Sequence, residues 1–233
     1  MKILRSTIEV SNHLLARLRA KRKVPVPAIL QRVSLNLGCG LAIAPGWINI
    51  DGSLNALIST LPKFLHPLFY HLTGARAYYS KEEYCRLLGE NIFVHHELSA
   101  GIPFHDGTAD YIFSSHFFEH LFHEQAIHLV NDSYRVLKDG GIMRISIPDL
   151  EYAVGLYQAG RKEEMLKQYF FVDDDENYFS RHKYMYDFEM LSKILSDAGF
   201  REIARCNYRQ GRVPDIQILD NRPDESLFVE AIK

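Results

Sequence analysis

The stretch Leu35-Asn36-Leu37-Gly38-Cys39-Gly40, with Gly46-Trp47-Ile48-Asn49-Ile50-Asp51 close behind it, reads as two short apolar strands. The first ends in a glycine turn, the second in an acid. Glycine lets the backbone approach a polar ligand with no Cβ in the way, and a carboxylate can accept hydrogen bonds from both hydroxyls of a ribose. Charge-assisted bonds of that kind contribute roughly 1.5–3 kcal/mol each. Turn and acid in this order suit a nucleoside cofactor. Only residues 41–46 separate the turn from the second strand. A crossover helix does not fit there, so a contracted loop or a single turn is expected.

Regular signals continue downstream. Residues 54–72 carry Leu54, Leu57, Ile58, Leu61, Phe64, Leu65, Leu68, Phe69 and Leu72 at helical spacing, broken by Pro62 and Pro67. Ile92 to His95 predicts a third strand and Tyr111 to Ser114 a fourth. Glu119 to Leu137 predicts an amphipathic helix, closed by the glycines of Lys138-Asp139-Gly140-Gly141. A fifth strand, Ile142 to Ile147, ends at Pro148-Asp149. After an aromatic, acidic stretch at about 157–186, Asp187 caps a helix over Phe188 to Ala198, and Phe200 to Tyr208 and Ser226 to Ile232 close the chain as two strands. Strand–helix alternation ending in a strand pair predicts an α/β fold with an open, mostly parallel sheet.

At 233 residues, with 47% hydrophobic and 24% charged content, the chain is the size of one α/β domain with insertions. Charge is unevenly spread. In residues 1–32, eight basic side chains face only Glu9, so this arm stands at +7 and, with the whole chain at −2, the remainder near −9. That acidic remainder opposes phosphate binding, and no nucleic acid is expected as a partner. Cys39, Cys85 and Cys206 are odd in number and form no CxxC pair, which argues against disulfides and structural zinc and for a reducing, cytoplasmic setting. The start lacks a signal-peptide core, and no apolar run reaches the roughly 18 residues that span a bilayer. The basic arm, helical by its spacing over 3–20 and stopped by Val24-Pro25-Val26-Pro27, could rest with segment 54–72 against an anionic membrane surface or a lipid-linked substrate. The alternative is a cap packed over the core.

In these residues the chain resembles the class I S-adenosylmethionine-dependent methyltransferases, most of all the small-molecule subgroup met beside saccharide-modifying enzymes. Four ordered blocks carry the resemblance: Leu35 to Gly40; Gly46 to Asp51; Ile102-Pro103-Phe104 through Ser115-His116-Phe117-Phe118-Glu119-His120-Leu121; and Arg135-Val136-Leu137-Lys138-Asp139-Gly140-Gly141 leading into Ile145-Ser146-Ile147-Pro148-Asp149. It runs from about Val33 to Lys233, leaving out the N-terminal arm and residues 54–90. It implies a seven-stranded Rossmann-like sheet with a terminal antiparallel strand pair, a basic helical arm over 1–32, and a methyltransferase domain over 33–233 with cap insertions, one of them helical, at about 54–90 and 157–186.

The resemblance further implies S-adenosylmethionine as cofactor and S-adenosylhomocysteine as product. Carried over position by position, Gly38, Cys39 and Gly40 line the methionine and ribose portion. Asp51, with Gly52 beside it, holds the ribose hydroxyls, and Glu97 and Leu98 face the adenine. Ser114, Ser115 and His116 contact the amino acid end, while Phe117, Phe118 and His120 border the acceptor pocket. Asn36, counted with the cofactor set, stands where the family has an acid, and Ala42 stands where the fuller motif has a third glycine.

Methyl transfer from a sulfonium is an in-line displacement in which positioning alone can supply effective molarities of about 10⁵–10⁸ M. An alcohol acceptor also needs a base, and histidine suits that role near neutral pH. The candidates are His120, His182 in Arg181-His182-Lys183-Tyr184, and Asp149, which either bonds the acceptor or caps the next helix. His116, His120 and His123, with Glu119 and Glu124, also fit a metal-dependent transferase. The family pattern already accounts for His116 and His120, so no metal is expected, and Asp173-Asp174-Asp175-Glu176 reads as a solvated loop. The reaction expected is methylation of a hydroxyl on a small-molecule or glycan acceptor, the sugar preference resting on analogy. A non-catalytic S-adenosylmethionine-binding regulatory or partner subunit is the alternative that Asn36 and the short crossover keep open.

Overall fold

The computed structural model describes residues 23–170 and 181–233. The helix expected over 3–20 and the Asp173–Glu176 loop lie outside these residues. Of the arm read as 1–32, residues 23–32 are non-helical: the prolines prevent a helix, and Val24 N–H instead bonds the Pro103 carbonyl at 2.7 Å.

Seven strands form one sheet: β1 (Ser34–Leu37), β2 (Ile48–Asp51), β3 (Ile92–His95), β4 (Ala109–Ser115), β5 (Leu137–Pro148), β6 (Arg201–Cys206) and β7 (Ser226–Ile232). Their order is β3-β2-β1-β4-β5-β7-β6. Pairing is parallel from β3 to β5, and β7 runs antiparallel to both β5 and β6. This is the open, mostly parallel α/β sheet with an antiparallel terminal pair that the strand pattern predicts.

Helices named in chain order are α1 (Leu54–Ser59), α2 (His66–Phe69), α3 (Lys81–Glu90), α4 (His123–Val136), α5 (Leu150–Gln158), α6 (Lys162–Phe170), α7 (Phe188–Asp197) and α8 (Ile216–Leu219). One sheet face buries Leu35, Leu37, Ile48, Ile50, Ile112 and Ile145 against Leu129 and Val130 of α4 and Leu191 and Leu195 of α7. The predicted helix over 119–137 divides: a 3₁₀ turn at Phe118–His120, extended backbone at Leu121 and Phe122, then α4. Phe118 and Leu121 are both drawn into the core, and continuous helical spacing cannot bury both together with the α4 stripe. Gly140, expected to close the helix, instead lies within β5 with φ +77°, and its N–H bonds the Lys233 carbonyl at 3.1 Å.

The contracted crossover shapes the opposite face. Residues 38–47 join two parallel strands with no helix. Two distant segments pack on this face. The long β6–β7 connection brings Val213, Ile216 and Leu219 onto Trp47 and Phe113, and Trp47 Nε1–H donates to Asp215 at 2.9 Å. Segment 54–90 packs Ile58, Tyr84 and Leu88 beside Phe93 of β3. What read as an added insertion is thus the β2–β3 connection, lying on the sheet.

Candidate active site

The site is built at the C-terminal ends of β1, β2 and β4, the edge at which open α/β sheets bind ligands. After β1 the chain turns through Gly38 and Gly40, at φ +65° and +52°. Gly38 N–H bonds the Ile50 carbonyl at 2.9 Å, and Gly40 N–H donates to Asp51 Oδ2 at 2.7 Å. Turn and acid therefore face the same space. Asp51 Oδ1 accepts a second bond, from Ser53 N–H at 2.6 Å. A carboxylate offers about four lone-pair positions, so two remain for hydroxyls.

The two glycines do different things. A Cβ on Gly40 would meet nothing within 4 Å, which leaves the space a nucleoside needs. A Cβ on Gly38 would come within 2.1 Å of the Phe117 ring, so this glycine makes room for that side chain. Cys39 is buried, and burial, with the Asp51 charge, pushes its thiol well above the usual range, which makes it no nucleophile. Beside Gly52, Glu97 receives the Ser99 N–H at 3.2 Å and lies 3.8 Å from where a Gly52 Cβ would stand. Leu98 packs in the core, leaving its backbone as the part nearest the edge.

Other members of the expected cofactor set are engaged within the protein. Asn36 is buried, and its Nδ2 donates to the Ala42 carbonyl at 2.9 Å and to Asn49 Oδ1 at 3.1 Å. An acid could donate to neither. The amide ties down the loop that joins β1 to β2. Ser114 Oγ–H donates to the Leu37 carbonyl at 3.0 Å, and Ser115 bonds Asn221 at 3.3 Å. His116 has φ +49°, with Nε2 at 2.9 Å from Ser226 Oγ and Nδ1 at 3.2 Å from Glu119 Oε1. Asp149, counted among catalytic candidates, does the other job considered for it. Oδ1 caps α5 through Glu151 N–H at 2.9 Å, and Oδ2 pairs with Arg205.

Beyond β4, residues 181–186 dock on the 3₁₀ turn. Lys183 N–H donates to the Glu119 carbonyl at 2.7 Å, and Lys183 Nζ to the His120 carbonyl at 2.8 Å. This brings His120 and His182 together with ring centroids 5.3 Å apart. Burial depresses the His182 imidazole to about 4, with Glu119 pulling the other way, so it is neutral at pH 7. Glu119 is 1% exposed. Burial alone would raise its carboxyl, yet the neighbouring His116 and His120 outweigh that and hold it below its ordinary value. Sequence spacing did not single out Glu119 as part of a site with His182, because the partner lies far along the chain. His123 is not part of the group; it stacks on Tyr184 at 4.2 Å.

Residues 63–145 match a protein-family model described as a methyltransferase domain. The match starts inside the segment that the resemblance left out. No curated protein matches the chain. Among solved structures, it is similar to a possible exported protein from Bordetella parapertussis, at 14% identity over 96% of this chain and 67% of that one, TM-score 0.52. It is also similar to a SAM-dependent methyltransferase from Archaeoglobus fulgidus, at 17% identity over 98% and 94% of the two chains, TM-score 0.49. A SAM-dependent methyltransferase from Thermotoga maritima aligns at 13% identity over 99% and 91%, TM-score 0.49. At such identities the likeness is one of fold.

The sheet order and the domain match agree on a Rossmann-like fold in which residues 63–145 carry the likeness to a methyltransferase domain. The open cradle at Gly40 beside the Asp51 carboxylate fits S-adenosylmethionine, the cofactor that the sequence resemblance implies.

Proposed function

We propose that the chain methylates a hydroxyl of a small-molecule or saccharide acceptor. The observation that carries this reading is the Gly40 N–H to Asp51 Oδ2 bond, which joins a bare backbone turn to a carboxylate at one sheet edge. S-adenosylmethionine supplies a methyl group on a sulfonium, a good leaving group for in-line displacement. Asp51 accepts the ribose hydroxyls, and the Gly38–Gly40 turn lets the backbone come close. Phe117 packs against Gly38 and directly precedes the Phe118–His120 turn that carries His120. His120 and His182 receive the acceptor hydroxyl. A hydroxyl is favoured over an amine because the neutral His182 imidazole can assist an acceptor that must lose a proton, which an amine nucleophile needs far less.

The saccharide preference rests on the resemblance of the four sequence blocks. Three free cysteines support a reducing, cytoplasmic setting. No helix among the described residues is long and apolar enough to cross a membrane. Contact with an anionic membrane surface is proposed through the basic residues 1–23 and the apolar Phe64 and Leu68, which are 76% and 68% exposed. Deleting residues 1–23 and finding liposome binding unchanged would remove that part.

The test of the main reading is S-adenosylhomocysteine release over a panel of sugars and small alcohols, alongside calorimetry. His120→Ala and His182→Ala are expected to lower turnover while leaving S-adenosylhomocysteine affinity intact. Cofactor binding without turnover on any hydroxylated acceptor would favour the non-catalytic partner instead.

A further inference from the structure

Glu119, His120 and His182 converge on one point. One ligating atom from each can be chosen so that all three lie within 4.8 Å of one another. Glu119 Oε1 is 3.9 Å from His120 Nε2. Both Glu119 oxygens are buried, with His116 Nδ1 3.2 Å from Oε1. A buried carboxylate in that condition calls for positive charge.

The orientation of His120 is a second, independent observation. Its Nδ1 faces the Arg181 carbonyl at 3.3 Å, and a carbonyl can only accept. Nδ1 is therefore the donor, which leaves Nε2, 3.9 Å from Glu119 Oε1, as the ring nitrogen available to an ion. Metal-ligating histidines are held this way, the far N–H bonded to a carbonyl and the near nitrogen bare. His116 braces the carboxylate from the other side, with Nδ1 at 3.2 Å and its own Nε2 set by Ser226. At 23% exposed, the His120 side chain leaves the cluster open outward, so a fourth coordination position is accessible.

We propose that Glu119, His120 and His182 form a binding site for a divalent transition-series cation. Two imidazole nitrogens and one carboxylate oxygen are a borderline donor set, matched to the manganese-to-zinc series and poorly to calcium or magnesium. Metal–ligand bonds of about 2.1 Å put tetrahedral ligand atoms about 3.4 Å apart, so small side-chain torsions close the present separations. Three protein ligands with an open position are the arrangement of a site that binds a further oxygen. The proposal deepens the acceptor-side reading above and rests on it for the ion's role: the imidazole pair receives the hydroxyl through the ion. The binding itself is independent of that reading.

The probe is cobalt(II), titrated into untagged, chelator-treated protein and followed by its visible d–d absorption and by thermal shift. Saturation at one ion per chain is expected, with at least tenfold weaker binding in His182→Ala and His120→Ala. His123→Ala, outside the cluster, should bind as the parent does. Glu119→Gln should also lose binding; because this residue is buried, its melting curve is recorded first, and His182→Ala stands as the decisive variant if it does not fold. No cobalt spectrum with the parent chain, or equal affinity in the His120 and His182 variants, overturns the site. S-adenosylhomocysteine binding measured on the same preparation distinguishes that failure from failure of the methyltransferase reading.

Discussion

The Lys183 N–H donates to the carbonyl of Glu119 across 2.7 Å, and this single backbone bond lays the 181–186 segment along the turn that follows β4. Tyr184 N–H shares the same carbonyl at 3.3 Å. The result is a half-buried His182 facing His120, His116, Glu119 and Arg222.

A pH dependence of stability follows from that burial. The His182 imidazole lies at about 4 in the fold against an ordinary 6.5, so the neutral form is the one the fold favours. Its contribution is complete above about pH 6.5 and is lost as pH falls toward 4. Melting temperatures taken between about pH 7 and pH 4.5 should drop more steeply for the parent than for His182→Gln, which cannot titrate. Equal slopes would contradict the assignment.

Asp51→Ala should weaken S-adenosylhomocysteine binding by about tenfold or more, the loss expected from charge-assisted bonds to a ribose. Calorimetry measures it. The same change also frees Gly40 N–H and Ser53 N–H, so a lowered melting temperature should accompany the loss.

Asn36→Asp introduces the acid that the sequence resemblance leads one to expect at this position, yet here it should destabilise. The amide donates to Ala42 and Asn49, and an aspartate in its place faces two acceptors with no proton to give. A cost of about 1–3 kcal/mol is expected from denaturant unfolding, without tighter cofactor binding.

Arg144 is fully buried on the face that lacks a crossover helix. It bonds Asp220 at 2.6 and 2.9 Å, Glu230 at 3.1 Å, and the carbonyls of Asn207 and Gln210 at 3.1 Å each. Arg144→Met removes the guanidinium that two buried carboxylates share, leaving them chiefly the backbone N–H groups of Arg209, Arg212 and Val213, and unfolding should show a loss of about 3–5 kcal/mol. Adding Asp220→Asn and Glu230→Gln should recover part of it.

Much of the architecture was readable along the chain. The strand from Ser226 to Ile232 begins and ends where alternation and flanking polar residues put it, and the short connection at 41–46 excludes a helix by length alone. Boundaries moved where burial competed with spacing, as at Phe118 and Leu121. Candidate site residues were readable as types, but not their engagement. Asn36, Ser114, His116 and Asp149 are polar residues at the right ends of the right strands, and only the structure supplies the partners that occupy them.

Sequence alone therefore settled where the seven strands lie and that a glycine turn precedes an acid, because these depend on neighbours a few residues away. The joining of Gly40 to Asp51, the packing of the β6–β7 connection on Trp47 and Phe113, and the meeting of Glu119, His120 and His182 were decided in three dimensions. Each needs backbone or side-chain bonds between segments whose separation along the chain carries no local signal.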